Sequence, residues 1–95
     1  MITTTTQFYA LAEKFQLEWL ALRDSLQAKH GDEWREHAED AEDAMFDPYI
    51  TTLRESFPDN DDAFACLSQC AGWLSQGIDP DATLEDLVSE EHWAM

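Results

Sequence analysis

The chain has 95 residues, 44% of them hydrophobic and 12% aromatic, with 21 acids against 5 bases and a formal net charge of -16. That length makes a single acidic domain over residues 1–95, and the apolar share is too high for a disordered acidic tail. A field of this sign excludes direct binding to nucleic-acid phosphates or to an anionic membrane, which need basic patches, and favours a basic partner surface.

The opening segment Met1-Ile2-Thr3-Thr4-Thr5-Thr6 lacks the basic start and apolar stretch of a signal peptide. Thr4 and Gln7 fit a capping box. Behind them Phe8, Ala12, Phe15, Trp19, Leu22 and Leu26 are spaced 4, 3, 4, 3 and 4, the heptad alternation. With Gly31 as a stop signal, this predicts one long amphipathic helix over 5–29. Tyr9, Leu17 and Leu20 widen its apolar face. The stripe serves the monomer core or, in part, a homodimer through the 8–26 face.

Asp32 is placed to cap a second helix, over 33–46, with Glu33 and Glu36 at its positive end. Trp34, Ala38, Ala41 and Met45 form its narrow apolar stripe. At Phe46 the stripe changes phase, and Phe46, Ile50, Leu53 and Phe57 continue it one residue late. Asp47 followed by Pro48 reads as a cap and a first helical position, so a break is expected there, then a short helix over 48–57. Phe57-Pro58-Asp59-Asn60-Asp61-Asp62 is a loop.

A helix over 61–76 follows, with Phe64, Leu67, Ala71 and Leu74 on one stripe and Cys66, Cys70 and Trp73 beside it. A face this wide belongs to the most buried helix. Gly77 ends it, with Ile78 placed to fold back, and Asp79-Pro80-Asp81-Ala82 is a turn. Thr83 caps a last helix over 84–91, and Trp93 anchors the tail. No period-2 alternation occurs, so the predicted class is all-α: one bundle of four to five helices.

The charge is unevenly distributed. Residues 1–31 hold three acids and three bases, whereas 32–62 hold twelve acids and two arginines, Arg35 and Arg54. Residues 32–47 alone carry eight acids. A halophile-style surface would spread acid over the whole chain. As a helix rising 1.5 Å per residue, residues 32–47 would set one carboxylate about every 3 Å, close to the roughly 3.4 Å between phosphates along one DNA strand.

Signs of chemistry are sparse. Asp79, Asp81, Thr83, Glu85 and Glu90 have calcium-loop spacing, but Leu84 stands where the loop needs glycine and Pro80 stiffens it. Cys66 and Cys70 share a helical face, and His30, His37 and His92 are too scattered to complete a zinc site, so the thiols read as small buried apolar groups. Two cysteines are too few for a disulfide framework. No nucleophile motif, glycine-rich phosphate loop or poised acid pair is found, so neither an enzyme nor a bound cofactor or metal is expected. No apolar run approaches twenty residues, and a cytoplasmic protein is expected.

A small helical chain with a folded core and a one-sided carboxylate field resembles the phage and plasmid DNA mimics, the anti-restriction and anti-CRISPR inhibitors. The segment Asp43-Ala44-Met45-Phe46-Asp47-Pro48-Tyr49-Ile50-Thr51-Thr52-Leu53 is similar to one in phage anti-restriction proteins that reads Asp-x-x-Val-Pro-x-Tyr and then an aliphatic residue. Here Phe46 replaces the valine and the proline falls one place late. The resemblance implies an inhibitor that presents carboxylates where phosphates would sit, working in the host-cell cytoplasm if phage-encoded. Its partner would be a basic nucleic-acid-binding protein such as a Cas complex or restriction enzyme. Glu36, Glu39, Asp40, Glu42, Asp43 and Asp47 would meet its Lys and Arg, and Asp59, Asp61 and Asp62 would extend the track past a bend at Pro48. Two alternatives stand beside this reading. One is an acidic immunity protein or antitoxin that neutralises a basic nuclease through the aromatic anchors Tyr49 and Trp93. The other is a structural helical interaction module.

Overall fold

The computed structural model describes residues 1–77 and 81–93, and for Ser75 the backbone alone. The all-α class is as expected: the described residues form helices and no strand. Helix α1 spans Thr5–His30. Its start is the capping box: Gln7 N donates to Thr4 Oγ1 at 3.2 Å, and Gln7 Oε1 accepts from Thr4 N at 3.2 Å. Lys29 and His30 oppose the negative end of its dipole. Gly31 ends it at φ 61°, a left-handed conformation that glycine takes without strain. At about 39 Å, α1 runs the 41 Å length of the molecule.

The chain then reverses through a 3₁₀ turn, Gly31–His37, where an α-helix from 33 was expected. Asp32 makes no cap, and α2 begins only at Ala38. The tighter turn draws His37 onto His30, their rings stacked at 3.7 Å. It also shortens the stretch in which carboxylates three and four apart would repel one another on an α-helix.

Helix α2 spans Ala38–Ser56 without interruption, which corrects the expected break at Asp47–Pro48 and the two helices on either side of it. Proline removes one hydrogen bond from a helix interior, a penalty of about 3 kcal/mol. Here Pro48 and Ala44, four residues before it, both lie on the exposed side, where water reaches the freed carbonyl. Tyr49 and Leu53 are buried just beyond, and their packing holds the helix together. The phase change at Phe46 is the ordinary drift of a 3.6-residue helix against a heptad pattern: Ala38, Met45, Tyr49 and Leu53 lie along one inward line.

Helices α1 and α2 form an antiparallel hairpin. Its turn is the histidine stack. Its middle is Phe15 against Phe46 and Tyr49, with ring centroids 5.3 and 5.2 Å apart. Its open end is tied by Ile2 N donating to Ser56 Oγ at 2.8 Å. Helix α3, Ala63–Trp73, covers the open half. Phe64 meets Phe15 at 5.7 Å and Phe46 at 5.2 Å. Five α3 residues are buried (Ala63, Cys66, Leu67, Cys70 and Ala71), more than on any other helix, as its wide apolar face predicts. A 3₁₀ turn, Leu74–Gln76, leads from it to Gly77. The fold-back of Ile78 and the turn at Asp79 and Pro80 fall outside the described residues.

The expected helix 84–91 is two short ones, α4 (Leu84–Leu87) and α5 (Glu90–Trp93). A continuous helix would need the carbonyls of Leu87 and Val88 for the N–H groups of Glu91 and His92. Both are taken: Trp93 Nε1 donates to Leu87 O at 2.8 Å, and Asn60 Nδ2 donates to Val88 O at 2.8 Å. Beyond Phe15 no residue of α1 is buried. The distal half of the hairpin is thus a two-helix arm on which Trp19, Leu22, Leu26, Trp34 and Met45 are only half-buried.

Candidate functional site: a carboxylate track on the hairpin

The acidic residues take their positions from the hydrophobic register of α2. With Ala38, Tyr49 and Leu53 turned inward, an advance of about 100° per residue carries Glu39, Asp40, Asp43 and Asp47 to the outer side, within an arc of roughly 100°. All four are exposed, as is Glu36 at the end of the 3₁₀ turn. Glu42 is half-buried, and the same geometry sets it on the inner side, away from the track. Asp59, Asp61 and Asp62 are exposed in the loop between α2 and α3. They form a second group, because residues 48–56 separate them from Asp47 and contribute Ile50 and Arg54 on the intervening surface. Without a bend at Pro48, the two groups are not one curved track.

None of these nine carboxylates has an ion-pair partner among the described residues. Three of the five bases are engaged elsewhere. Lys14 Nζ lies 3.9 Å from Glu18 Oε1 on α1 and 5.9 Å from the centre of the Tyr49 ring. Arg23 stacks over Trp19 at 5.2 Å, and Arg35 over Trp34 at 5.5 Å. Arg35, inside the densest part of the acidic stretch, therefore leans on an aromatic face and leaves the neighbouring carboxylates unneutralised.

The two aromatic side chains considered as partner anchors face inward. Tyr49 is 3% exposed. Burial, and then the Glu18 carboxylate beside it, push its phenol well above the ordinary range. Glu18 is near enough to act on that charge, yet the hydroxyl makes no hydrogen bond of good geometry. Trp93 is half-buried and its indole N–H is used within the protein. Along the homodimer stripe 8–26, Phe8, Ala12 and Phe15 are closed inside the core.

The thiols of Cys66 and Cys70 are both buried and unpaired in any disulfide. Burial pushes each up to about 11, with Glu90 and Asp62 adding to the effect at Cys66. They are held as neutral thiols, the state in which cysteine is a poor nucleophile and metal ligand. In the calcium-like run, Thr83 Oγ1 accepts from Asp86 N at 3.2 Å and Asp86 Oδ2 accepts from Thr83 N at 3.1 Å, so Thr83 serves a capping box with Asp86, a residue outside that set. Asp79 lies outside the described residues, among which no group of three or more potential ligands converges. His30 is drawn below its ordinary range by partial burial, then by His37 and Lys29. The histidine stack went unforeseen, because spacing on one helix says nothing about which residues meet across a hairpin turn.

No helix among the described residues is long and apolar enough to cross a membrane. Comparison of the chain with protein-family models, curated proteins and solved structures found no match.

Proposed function

We propose that the protein is an acidic DNA mimic: a non-enzymatic inhibitor that binds the positively charged nucleic-acid-binding surface of a host defence protein, of anti-CRISPR or anti-restriction type, and blocks DNA or RNA engagement. The observation that carries this reading is the unpaired run Glu39, Asp40, Asp43 and Asp47 on the outer side of one unbroken helix. It spans about 12 Å, so its carboxylates average about 4 Å apart along the axis, a linear density near that of phosphates on one DNA strand, in uneven steps of about 1.5 to 6 Å. Glu36 extends the run toward the hairpin turn, and Asp59, Asp61 and Asp62 offer a separate acidic contact past Arg54. Arginines and lysines lining a nucleic-acid channel would meet this surface as they meet a phosphate backbone.

The test is displacement of labelled DNA from a Cas effector complex and from a restriction enzyme, followed by fluorescence anisotropy across a salt series. Inhibition should weaken steeply with salt, because contacts to the basic surface replace phosphate contacts. Reversal of Asp40 and Asp43 to lysine should weaken inhibition far more than reversal of Glu13 and Glu18 on α1. A flat salt response, or equal effects at the two pairs, would reject the mimic reading.

A further inference from the structure

The two helices of the hairpin have unlike outer sides. That of α2 is carboxylate. That of α1 is formed by Ala10, Lys14, Leu17, Ala21, Asp24 and Ala28, all exposed, and Leu17 leaves 61% of its surface in water. Their spacings are 4, 3, 4, 3 and 4, a second heptad seam on the opposite side of α1 from the buried Phe8, Ala12 and Phe15. The outer side of a helix that meets only water is normally charged and polar. This one has four apolar positions and two charges of opposite sign.

We propose that this seam binds the same seam of a second copy, antiparallel, about a two-fold axis level with Trp19. A two-fold contact is self-complementary, so every pair of facing residues occurs twice. In this register Ala10 faces Ala28, Leu17 faces Ala21, and Lys14 faces Asp24. The seam's two charges thus meet each other, and apolar positions meet apolar ones. A parallel alignment would set Lys14 against Lys14 and Asp24 against Asp24. Sliding the antiparallel pair by a heptad would set Lys14 against Leu17 or Asp24 against Ala21. Charge complementarity therefore selects one arrangement. The alanines let the two backbones approach closely. Lys14 can turn to reach across: its side chain is 68% exposed, and it would give up only a long pair with Glu18 at 3.9 Å and a distant contact with the Tyr49 ring at 5.9 Å. Asp24 has no partner among the described residues.

The net charge of -16 on each copy opposes association at long range, and salt screens it, but little of that charge lies at the contact. Residues 1–31 are electrically balanced, and the carboxylates of α2 lie on the other helix of the hairpin, so the two acidic tracks stay apart. The inference is independent of the proposed function, since the outer side of α2 stays open in both copies. One helical seam buries less than the roughly 800 Å² per partner of a standard interface, so the dimer is concentration-dependent.

Sedimentation equilibrium from about 10 μM to about 1 mM, spanning the range of weak association, tests it. The expected result is a monomer–dimer equilibrium. Leu17→Glu, at a site open to solvent, should abolish the dimer while leaving the helical circular dichroism unchanged. Lys14→Asp and Asp24→Lys should each raise Kd about tenfold or more, because they place like charges in contact. The double variant K14D/D24K should restore the original Kd. A monomer at every concentration, or a double variant no tighter than the singles, would overturn the proposal.

Discussion

Tyr49 buries a hydroxyl whose one neighbouring acceptor, the Glu18 carboxylate, is not placed for a hydrogen bond of good geometry. A buried, unpaired polar group weakens a fold by about 1–3 kcal/mol, and removing it relieves that penalty. Tyr49→Phe keeps the ring against Phe15 and deletes only the oxygen, so it should stabilise the protein by about 1 kcal/mol. The urea midpoint at neutral pH reads this directly, and a fall in the midpoint would mean that the hydroxyl contributes through Glu18. The thiols make a second prediction at this scale. Cys66 and Cys70 rise from 9.0 to about 11 on folding, for reasons of burial. A raised acid group stays protonated in the folded chain while the unfolded chain releases its proton. Its contribution is complete below pH 9 and is lost as pH rises toward 11. The thermal midpoint should therefore drop across that window, and Cys70→Ala should flatten the drop.

At the scale of the element, the telling feature is proline inside α2. Pro48 lies mid-helix and exposed, where alanine would add a hydrogen bond and remove a ring clash. Pro48→Ala should stabilise the protein by up to about 3 kcal/mol, measured by chemical denaturation. Were Asp47 an N-cap and Pro48 the first residue of a separate helix, the same change would do little and Asp47→Ala would weaken the fold by about 1 kcal/mol. In the continuous helix Asp47 points outward and caps nothing. The split between α4 and α5 belongs to the same scale: two side chains, Asn60 and Trp93, capture the carbonyls that would have carried a helix across Val88 and Ser89.

Across the whole molecule, a charge of -16 is held by a core in which α3 closes only one half of the hairpin. Self-repulsion opposes the compact state and is screened by salt, with a Debye length of about 10 Å at 0.1 M. Raising sodium chloride from about 0.02 M to about 0.5 M should therefore raise the thermal midpoint by several degrees, about what 1 kcal/mol produces in a domain of this size. A midpoint that fell with salt would mean that ion pairs outweigh repulsion, against a surface on which Lys14–Glu18 is the one ion pair among the described residues. Salt thus acts in opposite directions on the two properties of the acidic surface: it strengthens the fold and weakens the proposed inhibition.

Local chemistry was enough to determine several features of this protein. The capping box at Thr4, the heptad stripe of α1, the stop at Gly31, the wide apolar face of α3 and the concentration of acid in 32–62 all follow from residues within a few turns of one another. Hydrogen bonding at caps and helical periodicity act over that range. Tertiary structure decided the rest. Pro48 is tolerated because Tyr49 and Leu53 pack against α1 and α3, a gain invisible to local propensity. The reversal at 31–37 is a 3₁₀ turn that brings His30 and His37 together, a pairing across the hairpin that local propensity does not show. Which carboxylates face outward depends on which side of α2 the core claims: it separates Glu42 from Asp40 and Asp43 and turns Tyr49 inward. A sequence records how many charges a helix carries. Their direction is settled only when the helix has something to pack against.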